Sequence, residues 1–203
     1  MLDRAQPGFR TTELDPDLLS TPFTCQTNWH VITGAPCCGK TTLINRLAGM
    51  GFQTLPEIGR AYIEREMAKG RTIDEIRENE VTFCHRINDM TLERERGLRA
   101  KELVFLDRGF PDCLSFFRIY GLDPNQVLPE CFHHRYASVF LLDRFPLQQD
   151  GVRTEDSVMS EFADEWLARD YGALGYTVVR VAVMSPEERL AFVLEKLSGQ
   201  GLI

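Results

Sequence analysis

No stretch of the sequence approaches eighteen apolar residues, and the opening lacks the basic-then-apolar run of a secretory signal. These absences argue against a helical membrane span and predict a cytoplasmic protein. The six cysteines (Cys25, Cys37, Cys38, Cys84, Cys113, Cys131) form no C-x-x-C pair, and the four histidines have no zinc spacing. A structural metal centre is therefore not expected, and the scattered thiols read as reduced and packed. Positive charge is also short, with 23 Lys and Arg against 30 Asp and Glu, for a net charge of −7. That balance argues against a nucleic-acid partner, which normally needs a basic face. Any affinity for phosphate must then be local, so individually placed arginines carry more information than the total. What is present is ordinary for a folded domain: 203 residues, 43% hydrophobic and 26% charged, enough for one stable core.

Gly34-Ala35-Pro36-Cys37-Cys38-Gly39-Lys40-Thr41 is a full match to G-x-x-x-x-G-K-[ST]. It follows Trp29-His30-Val31-Ile32-Thr33, which reads as a short buried strand. After it comes Thr42 to Ala48, which can form a helix presenting Leu43, Leu47 and Met50 on one face. Strand, loop and helix are the context in which this pattern has a mechanism. The glycines let successive N–H groups turn toward phosphate oxygens, and the helix adds its positive N-terminal end. Lys40 is placed for the β- and γ-phosphates and Thr41 for Mg²⁺. The alternative, a glycine-rich turn capped by a helix, leaves the lysine and threonine without a role. The sequence reads as binding a nucleoside triphosphate.

Residues 1–27 hold several prolines and few apolar residues and read as an irregular leader, with residues 28–203 as one nucleotide-binding domain. Further strands are expected at 52–55, 103–106, 138–142 and 176–183, and helices at 61–69, from Thr72, at 109–120, after Asp123, from Thr154 and from Ser185. Thr72-Ile73-Asp74-Glu75 has the spacing of a capping box and predicts one long helix with Ile76, Phe83, Ile87 and Met90 aligned. Val158, Phe162, Trp166 and Tyr171 are expected inward on the later helix, and His133-His134 at a solvated helix end. Strands alternating with helices imply an α/β fold: a parallel sheet of about five strands with helices on both faces, and ligands at the carboxyl ends of the strands.

The Thr33–Leu43 motif, Pro56-Glu57-Ile58-Gly59-Arg60-Ala61-Tyr62-Ile63-Glu64 and Phe105-Leu106-Asp107-Arg108-Gly109 resemble the P-loop NTPase and kinase family that includes the ribosylnicotinamide-kinase domain of NadR, an AAA-type ATPase grouping. Leu142-Asp143-Arg144, Asp150 to Glu155 and the Tyr176–Leu197 region are similar to the same family. The resemblance covers about residues 28 to 198 and implies a single P-loop domain. Cys37 and Cys38 depart from it, because those loop positions are commonly glycine or small.

Asp107, directly after an apolar strand, is the expected carboxylate partner of the loop, holding Mg²⁺ or accepting a proton; as an alternative it caps the next helix. The resemblance makes Glu57 a candidate general base facing the acceptor. Arg60, three residues on, could share its helix face and hold the acceptor, or simply pair with Glu57 at the surface. Arg108, Arg144 and Arg153 are candidates to meet substrate, nucleotide or developing charge as a lid closes, with ordinary surface arginines as the alternative. By family analogy Ser185-Pro186 lines the adenine side, although helix capping accounts for it equally. Adjacent Cys37 and Cys38 either make nucleotide binding sensitive to thiol modification or simply meet a need for small side chains in the loop.

The resulting expectation is ATP- and Mg²⁺-dependent phosphoryl transfer to a hydroxyl of a small metabolite such as a nucleoside or riboside. The alternative is a regulatory ATPase or GTPase switch, or a nucleotide-binding module, acting on a protein or lipid partner. No N-K-x-D guanine reader is present, which favours ATP.

Overall fold

The computed structural model describes residues 8–145, 154–199 and 201. Five short apolar runs form one parallel sheet: β2 (Trp29–Thr33), β3 (Gln53–Leu55), β4 (Val104–Asp107), β6 (Ser138–Leu142) and β7 (Val178–Val181). Their spatial order is β3-β4-β2-β6-β7, so the chain reverses direction across the sheet at β2. Every residue of β2, β4 and β6 is buried, as expected of strands covered on both faces.

One face carries Ile32, Phe105, Phe140 and Val181, packed with Leu43 and Leu47 of α2 (Lys40–Gly49) and Val193 and Leu197 of α8 (Pro186–Gly199). The other carries Val31, Leu106, Val139 and Leu141, packed with Leu114 and Phe117 of α6 (Asp112–Ile119) and Leu167 and Tyr171 of α7 (Thr154–Ala173). Alternate residues of each strand thus serve opposite helix layers. Register does the rest of the positioning: Ile32 pairs with Asp107 and Thr33 with Leu141, so the loop after β2 starts beside the end of β4.

The sheet and both helix layers agree with the sequence expectation, but five local readings need correction. The capping box at Thr72 forms, yet it opens only α4 (Ile73–Ile76). Asn79 then caps a separate α5 (Glu80–Arg96) through its side chain, so two N-caps seven residues apart divide the predicted single helix. Asp123 caps a 3₁₀ turn (Pro124–Gln126), followed by a second over Leu128–Phe132, in place of an α-helix. Val158 is exposed, whereas Trp166 and Tyr171 of the same helix are buried.

The fourth concerns the segment read as a leader. Residues 8–27 hold α1 (Pro16–Leu19) and β1 (Cys25–Gln26), the latter paired in parallel with β5 (His134–Arg135). Phe9 stacks on Phe162 at 4.6 Å, and the Thr12 carbonyl accepts from the Arg118 guanidinium, which is fully buried. His134 consequently lies in β5 against Trp29, with ring centroids 4.7 Å apart, and is not at a solvated helix end. His133 is the more exposed of the two and pairs with Glu130.

Candidate functional site

Gly34 begins the loop between β2 and α2 at φ +145°, and a Cβ there would lie 2.8 Å from both Cys38 Sγ and the Leu142 carbonyl. Only glycine fits that approach. Gly39 closes the loop at φ +91° and makes no side-chain cap, so the first N–H groups of α2 at Lys40, Thr41 and Thr42 are left for a ligand. Cys37 takes the left-handed backbone at φ +60° without being glycine, and its side chain is exposed. Ala35 and Cys38 are buried, and Pro36 is half-buried between them.

Lys40 Nζ is held over this loop, donating to the Gly34 and Ala35 carbonyls at 3.1 and 2.9 Å. Burial lowers its pKa, as does Arg108, against the opposing pull of Cys38, Asp107 and Glu57. The Thr41 hydroxyl donates to Asp107 Oδ2 at 3.4 Å. Asp107 is 1% exposed, and its Oδ1 has no hydrogen-bond partner among the described residues. Desolvation raises its pKa, opposed by Lys40 and Arg108. The helix-cap alternative fails, because α6 starts at Asp112. An unpartnered buried carboxylate oxygen costs about 1–3 kcal/mol, a penalty that a cation beside Thr41 would remove. Among the described residues no group of three or more His, Cys, Asp or Glu could hold a metal.

Glu57 ends the turn after β3 and starts α3 (Ile58–Ala68) without capping it through its side chain. Its Oε1 accepts from Arg108 Nε at 3.3 Å. Burial would raise the Glu57 pKa, but Arg108 and Lys40 outweigh it and hold the carboxyl below its usual value. Arg108 also sits in left-handed backbone at φ +71°, a conformation costing about 1–2 kcal/mol. There Nη1 reaches the Gly34 carbonyl at 3.0 Å and Asp112 Oδ1 at 2.9 Å. Arg60 is exposed on α3 and lines the same cleft, and the ion pair of Glu57 is with Arg108.

Three functional positions escaped the sequence reading. Asp112 is buried and accepts from Thr33 Oγ1 at 2.6 Å, Tyr171 OH at 2.7 Å and Arg108, which fixes the guanidinium. Arg94 donates to the Pro56 carbonyl at 2.7 Å and the Arg108 carbonyl at 3.4 Å, bracing the turn before Glu57 against the turn after Asp107. Arg189, 3% exposed, donates to the carbonyls of Cys38, Ala182 and Asp143, tying the loop to the ends of β6 and β7. None of these lies in a motif; the only sequence signal was charge inside otherwise amphipathic helices. Ser185 and Glu188 form a reciprocal cap, and Pro186 lines the cleft beside Phe145 and Arg189. Arg144 pairs with Glu161 of α7 at 3.3 Å and is not among the cleft-lining residues. Arg153 lies outside the described residues.

Lys40, Thr41, Thr42, Glu57, Arg60, Asp107 and Arg108 all line one cleft of about 920 Å³ at the carboxyl ends of the strands. The model of an AAA domain family matches residues 29–189, from the first residue of β2 into α8. The chain belongs to the AAA domain family. This AAA domain is similar in structure to NadR in complex with NR, at 20% identity and a TM-score of 0.60, over 84% of this chain and 50% of that one. It is similar also to shikimate kinase from Aquifex aeolicus vf5, at 17% identity and a TM-score of 0.50, over 86% and 98% of the two chains. The AAA domain thus spans half the length of the NadR chain, and at these identities both likenesses concern the P-loop fold. No curated protein matches the sequence. No helix among the described residues is long and apolar enough to cross a membrane.

Proposed function

We propose that this AAA domain is an ATP- and Mg²⁺-dependent kinase acting on a hydroxyl of a small metabolite such as a nucleoside or riboside. The observation that carries the reading is the meeting of Lys40, Thr41 and Asp107 with Glu57 and Arg108 in one cleft, next to the uncapped start of α2. A binding module needs only the first three.

In this reading the loop from Gly34 to Thr42 cradles the triphosphate, and Lys40 exchanges its two carbonyl partners for the β- and γ-phosphates. Thr41 and Asp107 would hold Mg²⁺, which when bound offsets the negative charge of the triphosphate. Glu57, kept ionised by its cationic neighbours, accepts a hydrogen bond from the acceptor hydroxyl and aims its oxygen at the γ-phosphorus. Arg108 fixes Glu57 in that position and adds positive charge where charge develops. Arg60 holds the acceptor at the rim, and Arg153, outside the described residues, is the remaining candidate to neutralise charge that develops on the transferring group. Pro186, Phe145 and Arg189 line the side of the cleft that takes the base.

ADP release measured with and without a panel of ribosides and other metabolites tests the reading. A kinase accelerates when its acceptor is added; an unresponsive rate would point to a hydrolytic switch.

A further inference from the structure

Every N–H of the turn after β4, from Arg108 to Phe110, has a partner. Arg108 itself holds left-handed backbone at φ +71°, which a residue with a side chain keeps only where its surroundings fix it. Its N–H donates to the Ile32 carbonyl at 3.0 Å, and the Gly109 N–H donates to Asp112 Oδ2 at 3.2 Å. The Arg108 carbonyl accepts from Arg94 Nη2 at 3.4 Å, the longest of these bonds. The shortest lies one residue further on. Phe110 N–H donates to the Tyr136 hydroxyl at 2.8 Å and to Glu95 Oε1 at 3.1 Å.

Glu95 comes from the last turn of α5 and Tyr136 from the link between β5 and β6. The Tyr136 hydroxyl donates to Glu95 Oε1 at 2.8 Å, and both residues are buried. Burial pushes the Tyr136 phenol well above its usual value, so its proton stays in that bond. Glu95 Oε2 lies 3.6 Å from His134 Nδ1, whose ring packs on Trp29 of β2. Tyr136 also stands so close to the turn that a Cβ on Gly109 would lie 2.9 Å from its ring, so the glycine after Arg108 is what admits it. Neither Glu95 nor Tyr136 is among the cleft-lining residues, and their route to the site is this turn.

We propose that Glu95 and Tyr136 are positioning residues, which clamp the Phe110 N–H, keep Arg108 in its left-handed backbone and so aim its guanidinium at Glu57. Without the clamp Arg108 relaxes toward right-handed backbone, and its side chain leaves the backbone in a new direction. Nη1 is held by the Gly34 carbonyl and Asp112 at 3.0 and 2.9 Å, so the 3.3 Å bond from Nε to Glu57 is the first to go. Glu57 faces Arg108, Lys40, Arg60 and Asp107. Burial would raise its pKa, and the cations, Arg108 first, hold it below the usual value; a displaced Arg108 releases it upward. The consequence for turnover rests on the kinase reading, in which Glu57 orients the acceptor, but the placement itself does not.

The test is NMR of the nucleotide-free protein with isotope-labelled arginine side chains and glutamate carboxyls. Tyr136→Phe removes one hydroxyl, no charge and no ring. Tyr176→Phe is its control: that hydroxyl accepts from the Tyr136 N–H at 3.2 Å and donates to the His134 carbonyl at 3.4 Å, in the same cluster but away from the turn. In Tyr136→Phe the Arg108 Nε–H should exchange faster with water, and Glu57 should titrate about one unit higher, an about tenfold weaker hold on its charged form. In Tyr176→Phe neither should move. Glu95→Gln supplies the sign, because loss of a negative charge alone would lower the Glu57 pKa, whereas loss of the clamp raises it. Unmoved Arg108 and Glu57 signals in folded Tyr136→Phe, a matching shift in Tyr176→Phe, or a downward shift in Glu95→Gln overturns the inference. None of these readouts needs turnover, so the clamp can fail while the kinase reading stands, and ADP release indifferent to every acceptor removes the kinase reading while the clamp is still decided.

Discussion

Arg108 Nε donates to Glu57 Oε1 across 3.3 Å, joining the residue after β4 to the residue that starts α3. The same guanidinium reaches the Gly34 carbonyl, so one side chain links the loop after β2, the end of β4 and the Glu57 carboxylate. The contact also sets the protonation of Glu57: burial acts to raise its pKa, and Arg108 followed by Lys40 reverses that shift.

The acid limb of kcat/KM should therefore lie below the usual carboxylate range. An active site that needs ionised Glu57 keeps working as pH falls, until the lowered pKa is passed. In Arg108→Met the limb should move to higher pH, because burial then faces Lys40 alone among the two leading cations. An unshifted limb in a pH profile of the variant would remove Glu57 from the reaction.

Asp107→Asn should retain nucleotide binding and lose most Mg²⁺-dependent turnover. The amide keeps the shape but cannot supply the charge that an unpartnered Oδ1 offers a cation. Turnover measured across a Mg²⁺ titration decides it: a loss at every concentration, or one that only higher Mg²⁺ relieves, is expected, whereas an undiminished rate with an unshifted Mg²⁺ dependence would make Asp107 a structural residue only.

The loop, Lys40, Thr41 and Asp107 were legible in the sequence because each sits in a contiguous pattern whose geometry is local: glycine turn, helix start, strand end. The five strands were legible for a similar reason, since fully buried strands read as continuous apolar runs. Asp112, Arg94 and Arg189 were not, because their partners are carbonyls and side chains brought near by the fold; Arg189 and Cys38 are 151 positions apart. The packing of residues 8–27 was not legible because their few apolar residues, Leu14 in the core with Leu18, Leu19 and Phe23 against it, follow no period, and bonds such as Arg10 N–H to the Arg118 carbonyl complete the hold. Composition cannot report such contacts.

The adjacent loop cysteines should behave differently from each other. Cys37 is exposed and lines the cleft, whereas Cys38 is 1% exposed under Gly34. Alkylation followed by peptide mapping should find Cys37 modified, Cys38 spared, and Cys37 protected by Mg²⁺ and nucleotide. Equal labelling of Cys37 with and without nucleotide would show that the loop does not close on phosphate.

Stability should fall on the acid side through His30. This histidine is fully buried in β2, bonded to Ser138 Oγ at 2.8 Å, and burial lowers its pKa from 6.5 to about 4. The unfolded chain takes up a proton as pH drops below 6.5, while the folded chain does so only near 4, so stability is lost across that window. One such group accounts for about 2 kcal/mol between pH 7 and pH 5. Urea unfolding at the two pH values, compared with the same pair for His30→Gln, checks whether the difference shrinks in the variant.

The fate of the γ-phosphate tests the central claim most directly. The AAA domain is incubated with Mg²⁺, γ-labelled ATP and a protein-free extract of small metabolites, with a folded Lys40→Ala variant as control. The expected result is label in a new organic phosphate, ADP release that quickens with the extract, and neither in the variant. Label found only in inorganic phosphate, at a rate indifferent to the extract, would contradict a kinase and leave a nucleotide hydrolase.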